Sequence, residues 1–152
     1  MKTIFAIDAG PEHSAFVIYK AGEILDSGYV PNTEMRQILI GREYDICALE
    51  MIASYGMAVG KSVFETCLWI GRFIEVSHAP SIKLYRKDIK MFLCGSMRAK
   101  DGNVRQALID LLGEQGTKKN KGATYGISSH KWAALAVAVY AANQLNQPKP
   151  NR

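Results

Sequence analysis

Lys2-Thr3-Ile4-Phe5-Ala6-Ile7-Asp8 is an apolar, β-rich run that stops on an acid and is followed by a Gly10-Pro11 turn. A second apolar run ends the same way at Ala48-Leu49-Glu50, and the last apolar helix opens at His130. Strand ends of a parallel or mixed sheet are where α/β folds gather ligands and catalysts. Far apart in sequence, Asp8, Glu50 and His130 are expected to converge in space on a divalent metal ion.

Outward from the first run, residues 14–19 form a second strand, Lys20-Ala21-Gly22-Glu23 turns the chain, and 24–30 form a third, giving an antiparallel meander. Thr33 is expected to cap a short helix running to about residue 40, and 45–50 to form the fourth strand. Over residues 56–76, Val59, Val63, Cys67, Ile70 and Ile74 recur at helical spacing, widened by Phe64, Leu68 and Phe73. A helix so broadly apolar needs cover on more than one side, from the core or from a second subunit. A fifth strand at 81–85 leads to a short helix at 86–93. An amphipathic helix at 101–112 follows, with Asp101 as N-cap and Val104, Ala107, Leu108, Leu111 and Leu112 inward. Residues 113–129 hold glycines and lysines with little to bury and are expected to form a mobile basic loop, before an Ala/Val-rich helix at 132–145. The order is that of an RNase H-like α/β fold. It implies one domain over 1–146, a five-stranded mixed sheet with helices on both faces, strands one and four adjacent, and a disordered tail at 147–152.

With 152 residues there is room for one domain, not two lobes. No apolar stretch is long enough for a membrane span, and the N-terminus enters a strand at once, without the layout of a signal peptide. Cys47, Cys67 and Cys94 are widely spaced among apolar neighbours and read as reduced core thiols, so a cytoplasmic location (a bacterium or a phage-infected host cell) is expected. The net charge of +5 is unevenly spread: between Lys83 and Lys131 there are eleven Lys/Arg against four Asp/Glu, and elsewhere eight against ten. A segment this basic suits contact with a polyanion, against the plainer alternative of a solvated face.

Phosphodiester hydrolysis needs developing negative charge neutralised and a water activated. Two Mg²⁺ ions about 4 Å apart supply both, bound by hard oxygen ligands. Asp8 suits the bridging ligand and Glu50 the second, while His130 suits either the second ion or the role of general base. Each has a structural alternative: Asp8 as a turn cap, Glu50 as a helix-start carboxylate, His130 as an N-cap with its ring in solvent. Gly60-Lys61-Ser62 looks like a phosphate-binding loop, but only three residues separate Gly56 from Gly60 and the motif falls inside an apolar helical pattern, so no nucleotide cofactor is expected. His13 and His78 lack partner spacing and read as surface residues.

The chain resembles the RuvC family of Holliday-junction resolvases, especially its bacteriophage branch. The likeness runs from Ile7-Asp8-Ala9-Gly10 through Leu49-Glu50 and Arg86-Lys87-Asp88-Ile89-Lys90 to His130-Lys131-Trp132-Ala133-Ala134-Leu135-Ala136. It implies a homodimer, joined through the helix at about 56–76, that uses Mg²⁺ or Mn²⁺ to nick opposing strands of a four-way DNA junction, a crossover junction endodeoxyribonuclease. The family's aspartate and glutamate fall on Asp8 and Glu50. Its final helix carries Asp-x-x-Asp or His-x-x-Asp; here the first is His130, but the second falls on Ala133, which has no ligand atom, so that either three protein ligands and waters complete the site, or Asp101 substitutes, or the chain is inactive. The family's base-stacking aromatic falls on Ala53, with Tyr55 the nearest ring. Lys83, Arg86, Lys87, Lys90, Arg98, Lys100 and Arg105 would line the DNA channel, and Lys118, Lys119 and Lys121 would reach phosphates from the loop. The alternatives are an RNA-processing nuclease of the YqgF type and a non-catalytic junction-binding protein, the latter favoured by Ala133. An actin-like ATPase is disfavoured by length.

Overall fold

The structure is a computed structural model that describes residues 1–148, so 149–152 of the tail expected at 147–152 fall outside the described residues. The strands are β1 (Ile4–Asp8), β2 (His13–Lys20), β3 (Glu23–Pro31), β4 (Ile46–Met51) and β5 (Ser81–Tyr85). The helices are α1 (Asn32–Gly41), α2 (Lys61–Val76), α3 (Arg86–Cys94), α4 (Asp101–Leu112) and α5 (Lys131–Asn146). The sheet runs in the order β3-β2-β1-β4-β5. β1–β2 and β2–β3 pair antiparallel, while β1–β4 and β4–β5 pair parallel. This is the RNase H-like arrangement expected, with β1 beside β4.

Side-chain alternation divides β1 between two cores. Ile4 and Ala6 join Ala48 and the buried side of α5, while Phe5 and Ile7 join Leu49, Met35 and Leu39 of α1, and Ile70 and Phe73 of α2. Phe5 stacks on Phe16 at 5.3 Å and meets Tyr44 edge-on at 5.2 Å. Small residues (Ala134, Ala136, Ala138, Ala141) bring α5 close to the sheet, where Leu135 and Val137 are fully buried. Truncating Phe73 to Ala would cost about 3–5 kcal/mol, lost transfer energy plus a cavity. Burial pushes the Cys47 thiol up to about 12, which leaves it protonated and inert. No helix among the described residues is long and apolar enough to cross a membrane.

Four expectations change. Thr33 does not cap α1: the helix begins at Asn32 after Pro31, and the Asn32 side chain turns inward. α2 starts at Lys61 rather than near 56, because Tyr55 and Gly56 take left-handed backbone (φ 50° and 76°) and Gly60 is extended. The Gly60-Lys61-Ser62 segment therefore opens a helix instead of lying within one, although its glycine spacing is unchanged. Within this chain α2 buries one side only, through Thr66, Ile70 and Phe73, and leaves Phe64 and Leu68 about 60% exposed. α4 is capped at Lys100, not Asp101, and Leu111 faces solvent.

The fourth change concerns residues 113–129, which are pinned rather than loose. Ile127 and Thr124 are fully buried, and the Thr124 hydroxyl donates to the Gly113 carbonyl at 2.9 Å. Gly116 and Lys121 form an antiparallel bridge, and a Cβ on Gly122 would lie 1.9 Å from the Glu114 carbonyl oxygen.

Candidate active site at the ends of β1 and β4

The parallel register pairs Ile7 with Leu49, so Asp8 and Glu50 follow side by side, one step further along adjacent strands. Alternation turns both toward the α5 layer, Asp8 in line with Ile4 and Ala6, and Glu50 in line with Ala48. The same parity on β5 runs through Ile82 and Leu84 to Arg86, the first residue of α3. Three chain segments thus deliver two carboxylates and a guanidinium to one spot.

The turn after Asp8 is locked without it. The Gly10 amide donates to Ser14 Oγ (3.2 Å), Ser14 Oγ donates to Asn32 Oδ1 (2.6 Å), and Asn32 Nδ2 donates to the Gly10 carbonyl (2.9 Å). Gly10 is needed there, since a Cβ would lie 2.4 Å from the His13 carbonyl oxygen. Asp8 is therefore spared the capping role that would have explained it structurally. Glu50 lies inside β4, not at a helix start. His130 is the N-cap residue of α5 but makes no side-chain capping bond. Its position follows from Ser129, whose left-handed backbone (φ 49°) turns the chain into α5, and from buried Ile127 and Trp132 on either side.

Asp8 and Glu50 are mostly buried, their side chains 21% and 12% exposed. Burial raises the Asp8 pKa to about 7, helped by the Glu50 charge and a hydrogen bond between the two carboxyls, and opposed by Arg86. Arg86 donates to Glu50 Oε1 at 3.3 Å and also pairs with Asp101. Burial works to lower the Arg86 pKa, but the charges of Glu50 and Asp101 outweigh it and the net direction is up. His130 Nδ1 stands 4.0 Å from Asp8 Oδ2. These groups border a cavity of about 580 Å³, with Lys90, Arg105, Trp132 and Ala133 also in its walls.

Two adjoining carboxyls that retain a proton near neutrality form a donor set short of positive charge, and their hard oxygens suit Mg²⁺ or Mn²⁺. The residues fit such an ion to that extent. Among the described residues, however, no three carboxylate, imidazole or thiol groups enclose a common point. The three-sided cage expected of Asp8, Glu50 and His130 is therefore open. His130 stops short of bonding distance and Arg86 leans on Glu50, so an ion would keep several waters.

Asp101 borders the cavity, but its carboxylate is 84% exposed and engaged with Arg86. Of the expected DNA-contacting residues, Arg86, Lys90 and Arg105 line the cavity. Arg105 lies over the Trp132 ring and Lys121 over Tyr125. Lys83, Lys87, Arg98, Lys100, Lys118 and Lys119 are exposed, as is Tyr55 in the 52–60 loop.

Sequence reasoning missed two neighbours. His13 is not an isolated surface histidine: its ring stacks with Tyr29 at 5.4 Å, and Tyr29 stacks with His130 at 4.9 Å. Only the β2–β3 register, which sets Tyr29 opposite Ala15, could have revealed this. His78, by contrast, has a structural place, with Nε2 2.8 Å from the Arg42 carbonyl and its ring against Tyr44.

No family model and no curated protein matches the chain. Among solved structures, Thermus thermophilus RuvC superposes with a TM-score of 0.69 at 16% identity, covering 93% of this chain and 96% of that one. T. thermophilus RuvC in complex with a Holliday junction substrate gives the same TM-score and identity, with 95% of each chain covered. The likeness establishes a shared fold over nearly the whole length.

Proposed function

We propose that the protein is a divalent-metal-dependent, structure-selective endodeoxyribonuclease that nicks four-way and other branched DNA. The observation that carries this reading is the Asp8–Glu50 pair, two adjoining, largely buried carboxyls. Such a pair is destabilised by its own charge and relieved by a bound cation. A bound Mg²⁺ or Mn²⁺, one ion or two, would supply neutralisation of the phosphate and a more acidic water. Asp8 and Glu50 would hold it, Asp8 giving up its proton. His130 would accept a proton from the attacking water. Arg86, Lys90 and Arg105 would draw in the phosphate backbone, and Tyr55 would stack on an unpaired base. The likeness to a RuvC structure solved with a Holliday junction supports branched DNA as the substrate.

The exposed Phe64 and Leu68 on α2 support a homodimer formed through that helix. Leu68→Glu should shift the sedimentation of a dimer to that of a monomer; an already monomeric protein would remove this part.

The deciding experiment offers synthetic four-way junctions with Mg²⁺ or Mn²⁺. Nicking is expected, with Asp8→Asn and Glu50→Gln binding junctions yet failing to cut; full activity in either variant would end the assignment. A second reading, a junction-binding protein that does not cleave, is favoured by Ala133, which borders the cavity without a ligand atom. Salt-sensitive binding with no nicking under any divalent ion would select it.

A further inference from the structure

His130 poses a positional problem that Asp8 and Glu50 do not. The carboxyls ride on central, hydrogen-bonded strands, whereas the imidazole is 59% exposed and makes no capping bond. Its contact with Asp8, at 4.0 Å, is longer than a hydrogen bond. An imidazole so loosely tethered would sample several rotamers in solvent and spend little time facing Asp8. What does meet it is Tyr29: the rings lie 4.9 Å apart and 15° from parallel, an offset-stacking geometry. Tyr29 has no evident core role, being 49% exposed on β3, an edge strand of the sheet. Its cross-strand partner is Ala15, too small to stack, and the His13 ring at 5.4 Å completes the cluster. Asp8, His13, Tyr29 and His130 also share the walls of a shallow pocket beside the main cavity.

We propose that Tyr29 is a positioning residue for His130, its ring setting the imidazole so that Nδ1 is presented to Asp8. The proposal rests on the nuclease reading and adds to it a residue from the opposite side of β1, on the β2–β3 hairpin. Tyr29 touches neither carboxylate through this stack; it acts by narrowing the orientations of another side chain. The phenol hydroxyl has no part in it, so the benzyl ring of phenylalanine would serve equally.

The test labels histidine in the full-length, metal-free protein and records the imidazole C–H resonances by NMR, beside nicking of a four-way junction. In the unaltered protein and in Tyr29→Phe, the His130 resonances are expected upfield, in the ring current of residue 29. In Tyr29→Leu they should move to the position of a solvent-exposed histidine, and nicking should fall roughly three- to tenfold, the worth of one aromatic pair. Identical His130 resonances in Tyr29→Leu and the unaltered protein would overturn the proposal. So would moved resonances with undiminished nicking, which would leave the stack without a purpose. If the unaltered protein cuts nothing while the resonances still follow the ring, the nuclease reading fails and the placement of His130 by Tyr29 stands. The two failures are thus distinguishable.

Discussion

The strand-borne and helix-borne halves of the site are held in different ways. Asp8 and Glu50 project from neighbouring, parallel-paired strands, and their backbones cannot shift without breaking the ladder that organises both cores. His130 stands one residue before α5, after a serine in left-handed backbone, with its ring against another ring and no side-chain hydrogen bond in the cap. The carboxyl half is rigid and carries an electrostatic cost; the imidazole half is adjustable and carries little. The backbone ladder alone fixes where the two acids stand, whereas the imidazole depends on a neighbouring side chain for its orientation. Stabilising the fold and assembling the site are therefore separate tasks here, and mutations should separate them.

The sharpest break is Asp8→Asn. Metal-dependent nicking should fall by about 10³-fold or more, as expected when a metal ligand is lost. The same change should raise the melting temperature of the metal-free protein at pH 8. Asp8 has its ordinary value of 3.8 raised to about 7, so its contribution to stability is intact below about pH 4 and is lost as pH rises through 7. Asparagine has no such loss, and a lower melting point for Asp8→Asn at pH 8 would contradict the electrostatic picture. His130→Ala comes next, with nicking reduced about 10²-fold and thermal stability little changed, since the ring is exposed and uncapped. A loss of stability matching the loss of activity would instead make it a structural residue.

Smaller effects probe the border between the halves. An ion must displace the proton on Asp8, so the apparent Mg²⁺ affinity, followed by calorimetry, should rise up to about tenfold per pH unit below pH 7 and level off above. A flat profile would mean that Asp8 is not a ligand. Ala133 follows His130 by three residues, on the same side of α5, and borders the cavity. Ala133→Asp should therefore tighten Mn²⁺ binding by about two- to tenfold and give the helix half a carboxylate of its own. Unchanged affinity would show that this turn of α5 lies out of reach of the ion.

The carboxyl half was legible in the sequence because it depends on short-range rules. A strand of period two that ends on an acid, twice, with a meander before the second, brings Asp8 beside Glu50 with little freedom to do otherwise. The imidazole half was legible only as a residue at a helix start. Its neighbours Tyr29 and His13 come from the pairing of β2 with β3, where no local pattern marks which exposed ring will meet which. The basic segment marks Arg86 as a contact for DNA; its hold on Glu50 follows from the β4–β5 register, and its hold on Asp101 from the first residue of α4. Apolar spacing continues back through Val59 and so conceals the start of α2, which the extended backbone of Gly60 sets at Lys61. Leu111 fits an inward stripe by spacing, yet it stands exposed while Val104 and Leu108 on the same helix are buried.

The pinned segment between α4 and α5 separates shape from charge. With Gly122 pressed against the Glu114 carbonyl, and Thr124 and Ile127 sealed inside, its path is dictated by atoms that face inward. Lys118 and Lys119 face outward, away from those atoms, and Lys121 lies over the Tyr125 ring at the surface. A lineage, or an engineer, is thus free to rewrite the sign and density of charge on this arm one codon at a time, while the glycines beneath it admit almost no revision.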